Sequence, residues 1–171
     1  MQGSSRKVKN SPYPKGKLSP FTILSTRRTN KEMTYLLDTS IYCQPLKKKP
    51  LPMVVERWKE VGDSECCVSV FCEMELLQGI INAESKKLNS LYYTIVKGRI
   101  PVLDFTIREA AIYAEIQAAL LKQGRKRPVI DLCIAATALS HSCTLVTLNT
   151  KDFSDISGLV VEDWSTPVFL P

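Results

Sequence analysis

Five short apolar runs, with a helix-length stretch in most of the gaps between them, constrain the fold of this chain more than any other feature. They are Tyr35–Leu37 in "TYLLDTS", Cys66–Phe71 ("CCVSVF"), 100–105 ("IPVLDF"), 144–149 ("TLVTLN") and 158–164 ("GLVVEDW"). Continuous apolar runs suit strands buried on both faces, as in a parallel sheet. Parallel strands need long crossovers, usually helical. The intervening sequence predicts helices over about 53–61, 73–82, 84–97, 106–123 and from Pro128 to about His141. In the fourth, Ile107, Ala111, Ala114, Ala118 and Leu121 recur at helical spacing and Gly124 ends the run. Strands alternating with such helices imply an α/β sandwich around a parallel sheet. No internal repeat is visible.

A chain of 171 residues that is 44% hydrophobic fits one domain plus an extension. No apolar run approaches the roughly 18 residues needed to span a membrane. The net charge of +6 is unevenly placed. Residues 1–32 hold 8 Lys/Arg and one acid, Glu32, for +7; residues 33–171 hold 15 basic and 16 acidic residues, for −1. The globular part therefore attracts a polyanion only through local patches. Three stand out: Lys47–Lys49, Lys86–Lys87 and Arg125–Arg127. A solvated surface is the plain alternative for each.

Residues 1–32 are rich in Ser, Pro, Lys and Arg without periodicity, and disorder is expected there. They lack the apolar core of a secretory signal, although their composition resembles a transit peptide. Met33 is a natural alternative start, since the first strand follows it. The expected organisation is an extension over 1–32, a domain over 33–165 and a short tail over 166–171. The six cysteines form no CxxC pair and lie mostly among apolar residues, which suits a reducing, cytoplasmic compartment. A zinc site built on His141 and Cys143 has no support from spacing.

Acidic and amide side chains recur at strand ends. Asp38 ends the first run, Glu73 and Glu75 follow the second, and Asn149 ends the fourth, with Asp152 three residues on. Asp131 lies in the first turn of an otherwise apolar helix, "RPVIDLCIAATAL". Ligands in α/β folds bind outside the carboxyl ends of the strands. Clustered carboxylates stay ionised together when cations neutralise them, and Mg²⁺ or Mn²⁺ prefers such oxygen ligands. Phosphodiester hydrolysis is the chemistry that fits. Taken singly, each acid also has an ordinary role as a turn, cap or solvated residue.

The blocks "YLLDTS", "VSVFCEMELLQG", "IDLCIAATAL" and "LVTLNTKDF", in this order and followed by "GLVVEDW", resemble PIN-domain ribonucleases. More narrowly, they resemble the toxin subunits of VapBC-type toxin–antitoxin pairs. The resemblance covers about Met33 to Trp164. It implies a three-layer α/β/α sandwich with a central parallel sheet and an acidic pocket for Mg²⁺ or Mn²⁺. It further implies cleavage of structured RNA, a homodimer and a cognate antitoxin.

On the family pattern, Asp38, Glu75 and Asp131 are the metal acids. Asn149 takes the fourth acidic position, with Asp152 as a compensating acid nearby. Helical periodicity alone selects Glu73, which shares a face with Leu76, Leu77 and Ile80; the motif selects Glu75. Ser40 is placed to orient Asp38 or to serve a turn. Tyr42, Trp58 and Tyr92 are available for base stacking or for the core, and Arg125–Arg127 for phosphate contacts. The helices near 53–61 and 73–97 are the natural antitoxin groove. The alternatives are a housekeeping RNA-processing nuclease, and a PIN-like scaffold that binds RNA or protein without cutting.

Overall fold

The computed structural model of the chain describes residues 34–166. The expectations for residues 1–32, and for nearly all of the short tail, lie outside the described residues. Five strands form one sheet: β1 (Tyr35–Leu37), β2 (Cys66–Ser69), β3 (Val102–Leu103), β4 (Thr144–Val146) and β5 (Val161–Glu162). Their order is β3-β2-β1-β4-β5, and every pairing is parallel. Tyr35 stands opposite Cys66 on one side and Thr144 on the other; Leu145 pairs with Val161. Leu36 and Leu37 point to opposite faces of β1 and both are fully buried, so helices cover the sheet on each side.

The helices are α1 (Thr39–Tyr42), α2 (Pro52–Val61), α3 (Val70–Asn82), α4 (Lys86–Leu91), α5 (Ile107–Lys122) and α6 (Val129–Ser140). Most expected elements are present, and the differences have local causes. The run Cys66–Phe71 ends as a strand at Ser69, whose Oγ accepts the Cys72 N–H at 3.1 Å and so caps α3. The helix expected over 84–97 divides into α4 and a π-helical turn over Tyr92–Val96. The third and fifth runs pair over only two residues each. Helix α1 is one turn long and was not expected.

Helix α6 is buried almost all round: Leu132, Cys133, Ile134, Ala135, Ala136, Thr137 and Ala138. Its small residues permit close packing against α5. A buried carboxylate fixes that pair. Glu109 of α5 is 3% exposed and accepts hydrogen bonds from the Thr106 N–H at 2.8 Å, from Thr106 Oγ1, and from Ser140 Oγ at the end of α6. Thr106 and Glu109 form a capping box. Burial pushes the Glu109 carboxyl up, but these hydrogen bonds pull it down further, to about 2.

The strand order places the functional edge. The chain adds β2 and β3 on one side of β1, then returns to lay β4 on the other. Such a reversal opens a crevice between the carboxyl ends of the two strands where it occurs. Here these are β1, which is followed by Asp38, and β4, which is followed by Thr147–Asn149.

Candidate active site

Asp38 continues the β1 ladder by one bond, its N–H donating to Val146 O at 2.9 Å. Its side chain is buried, 8% exposed. Oδ2 accepts from Ser40 Oγ at 2.7 Å and from Thr147 Oγ1 at 2.8 Å. Ser40 Oγ accepts the Leu148 N–H at 3.1 Å, and Thr147 Oγ1 accepts the Asn149 N–H at 3.0 Å. Two hydroxyls thus stitch the ends of β1 and β4 together and fix the carboxylate between them. Both engage Oδ2, which leaves Oδ1 for another ligand.

Asp131 enters from the first turn of α6 and is partly buried. Its carboxyl is pushed up to about 6, first by burial and then by the charges of Asp38, Asp152 and Glu75, against the pull of Arg127. That ordering is a statement about position. Acids from the end of β1, from α3 and from the turn after β4 share the neighbourhood of Asp131 strongly enough to disfavour its ionisation.

The two glutamates of α3 divide their roles. Glu73 accepts from Tyr42 Oη at 3.0 Å and from Tyr92 Oη. Burial, reinforced by the nearby Glu73 carboxylate, raises both phenols. Glu75 instead accepts from Thr39 Oγ1 at 2.5 Å, and its charge reaches Asp131. Glu73 thus packs against two core tyrosines, while Glu75 lies toward Asp131.

Asn149 is exposed and opens the 3₁₀ turn Thr150–Asp152. Asp152 closes that turn half-buried, with its charge facing Asp131. Of the basic run, Arg125 and Arg127 both donate to Asp155 Oδ2, at 3.1 and 2.8 Å. Tyr42, Trp58 and Tyr92 are buried, at 1%, 3% and 3% exposure, so these aromatics belong to the core and not to a stacking surface. Sequence reasoning missed Thr39, Thr147 and Glu109. A polar Thr147 directly after the apolar Leu145–Val146 pair was the available signal for the second of these.

A family model of the PIN domain matches residues 35–159. The chain belongs to the PIN-domain family. Among curated relatives, it is 35% identical over 136 residues to the tRNA(fMet)-specific endonuclease VapC of Shigella flexneri, covering 78% of this chain and 99% of that protein. It is 36% identical over 132 residues to ribonuclease VapC1 of Rickettsia felis, covering 75% and 95%. Among solved structures, the DNA-bound VapBC complex of Salmonella typhimurium matches with a TM-score of 0.68 at 29% identity, covering 77% of this chain and 98% of the other. FitAcB of Neisseria gonorrhoeae matches with a TM-score of 0.70 at 26% identity, covering 77% and 98%. This PIN domain is thus of the VapC ribonuclease type, and it shares its fold with solved VapBC complexes.

A divalent ion is implied for a PIN domain, and the donor set here fits one. It is built of carboxylate oxygens, which suit Mg²⁺ and Mn²⁺, and their mutual repulsion at Asp131 is what a cation relieves. Among the described residues, no three His, Cys, Asp or Glu side chains converge on one coordination point. The fit is therefore to a largely hydrated ion on one or two carboxylates, and not to a closed protein cage.

Proposed function

We propose that this chain is a Mg²⁺- or Mn²⁺-dependent endoribonuclease that serves as the toxin of a type II toxin–antitoxin pair in the cytoplasm. The observation that carries the reading is the repulsion of Asp131 by Asp38, Asp152 and Glu75 at the switch point of a PIN-domain sheet. The nuclease unit is the segment 33–165. Asp38, Glu75 and Asp131 hold the ion, directly or through water. When bound, such an ion supplies Lewis acidity and charge neutralisation for in-line displacement at an RNA phosphate. Ser40 and Thr147 hold Asp38 still, Thr39 orients Glu75, and Asn149 and Asp152 complete the rim. The products are a 5′-phosphate and a 3′-hydroxyl.

The partner reading rests on the solved VapBC complexes and on an apolar surface. Met53 of α2, Val70, Met74 and Ile81 of α3, and Ile95 of the π-helical turn are all exposed. An antitoxin segment laid across these helices covers them, as helix-in-groove partners do, and the toxin itself forms a homodimer. No described helix is long and apolar enough to cross a membrane.

The deciding experiment is cleavage of a cellular RNA pool, tRNA included, with Mn²⁺, Mg²⁺ or EDTA, comparing the wild type with Asp131→Ala. Metal-dependent cutting that the substitution abolishes supports the nuclease. Cyclic 2′,3′-phosphate ends overturn the hydrolytic version. A folded wild type that leaves all RNA intact favours a non-cutting PIN scaffold.

A further inference from the structure

We infer that the apolar cleft between α1, α3 and α4 is a nucleobase subsite of the nuclease, seating one unstacked base of a single-stranded RNA beside the acidic edge. The inference rests on the RNA-cleaving reading above and says how that substrate is held. Thr39 and Glu75, joined by the hydrogen bond from Thr39 Oγ1 to the Glu75 carboxylate at 2.5 Å, both line the cleft. The cleft and the acidic edge therefore share a carboxylate. Its other walls include Leu46, Leu76, Ile80 and Leu88. The volume is about 270 Å³, where small-ligand pockets begin at about 300 Å³. An α-helix is about 10 Å across, so a cleft of this size takes a flat ring and not a helical segment. Val70, Met74 and Ile81, the α3 residues offered to an antitoxin above, lie on another face of that helix.

Lysines rim the cleft. Lys47 lines it, Lys48 and Lys49 follow, and Lys86 and Lys87 directly precede Leu88; all five are exposed. The loop carrying the first three is braced by Gln44, which is fully buried. Its Nε2 donates to Ser40 O at 2.8 Å and its Oε1 accepts the Leu51 N–H at 2.9 Å. Ser40 also holds Asp38, so hydrogen bonds connect the lysine loop to the acidic edge. A polyanion that carries a flat apolar unit on each repeat matches an apolar cleft with a cationic rim, and single-stranded RNA is such a polymer. Gly79 leaves the cleft open. It is helical, and no neighbouring atom lies within 4 Å of the position a Cβ would take.

The test uses the full chain in EDTA, with RNA integrity checked on a gel. The probes are a mixed-sequence single-stranded RNA and an abasic strand of the same length and charge. The first readout is alkylation of Cys43, which lines the cleft half-buried while the other five cysteines are buried. At ten times its Kd the RNA is expected to slow this alkylation about tenfold, in proportion to the free fraction. The abasic strand leaves the rate unchanged. The second readout is affinity. Gly79→Leu fills the cleft and is expected to weaken RNA binding about tenfold, while the abasic strand binds as before. Gly79→Ala gains helix propensity, so it melts no lower than the wild type and weakens RNA binding less. Lys47→Ala instead lowers the slope of log affinity against log salt by about 0.7 for both strands, the loss of one phosphate contact.

Equal binding of the two strands overturns the inference, as does a Cys43 that stays fully reactive under saturating RNA. So does a folded Gly79→Leu that binds RNA like the wild type; if that variant melts early, Gly79→Ala and the Cys43 readout decide. Steady-state cleavage with Mn²⁺ separates this inference from the nuclease reading. Cutting by the wild type, with KM unchanged in Gly79→Leu, refutes the subsite alone. Base-dependent binding without any cutting overturns the nuclease and leaves the base site standing.

Discussion

Thr147 donates a hydrogen bond to Asp38 at 2.8 Å although 109 residues of chain separate them. Both side chains are buried, and the bond joins the ends of β1 and β4. Hydrogen bonds to charged groups contribute about 1.5–3 kcal/mol. Thr147→Val keeps the shape and removes the donor. It is expected to lower the cleavage rate by about ten- to a hundredfold, because Asp38 then loses one of the two groups that fix it. Single-turnover cleavage with saturating Mn²⁺ checks this, and full activity counts against the positioning role.

Glu73 and Glu75 are separable by their different partners. Glu73→Ala leaves the hydroxyls of Tyr42 and Tyr92 without their acceptor, and each such loss costs about 1–3 kcal/mol. A clear drop in Tm is expected. Glu75→Gln is expected to melt near the wild type and to lose most cleavage. Paired melting curves and RNA digests settle the assignment, and a reversed pattern refutes it.

Asp131 makes the ion-free chain less stable near neutral pH. Its folded value of about 6 lies above its ordinary 3.8, so folding favours the protonated form. Stability from this group is therefore full below about 4 and is lost as pH rises through 6. Asp131→Asn is expected to raise the Tm in EDTA at pH 7, by an equivalent of about 1–2 kcal/mol after allowance for solvent screening. At pH 4 the two proteins should melt alike. Cleavage is expected to be lost in the variant, the pattern of a site that trades stability for chemistry.

Glu109 has the opposite sign. Its folded value of about 2 lies below the ordinary 4.5. Its contribution is present above 4.5 and lost as pH falls toward 2, so it feeds acid unfolding. Glu109→Gln is expected to lose about 2–3 kcal/mol at pH 7 and to show a flatter acid limb. Urea midpoints at pH 7, 4 and 3 measure it. A parallel offset at all three values contradicts the linkage.

Much of this was legible before the structure. Five apolar runs with helices between them gave a parallel α/β fold, since few other arrangements bury such strands twice. Their lengths were overestimated at β3 and β5, where pairing depends on a neighbour far away in sequence. Val70 and Phe71 read as strand because the Ser69–Cys72 capping bond that starts α3 carries no periodic signal. Asp38 and Asp131 stood out as acids in apolar surroundings. Thr39 and Thr147 did not, because a hydroxyl within reach of a carboxylate becomes visible only when two strand ends are side by side. Tyr42, Trp58 and Tyr92 were ambiguous for a related reason, since an aromatic ring suits a core and an RNA surface equally well.

The reversal in strand order has a consequence for when the protein becomes dangerous. Asp38 lies near the beginning of the sheet's chain path, but Thr147 and Asp152 arrive with β4 and the turn after it. During synthesis the amino-terminal half leaves the ribosome first. The first acid then waits beside an empty slot until the last part of the domain is made. On the proposed site, a chain that stops before β4 carries Asp38 without Thr147 or Asp152 and is expected to cut no RNA.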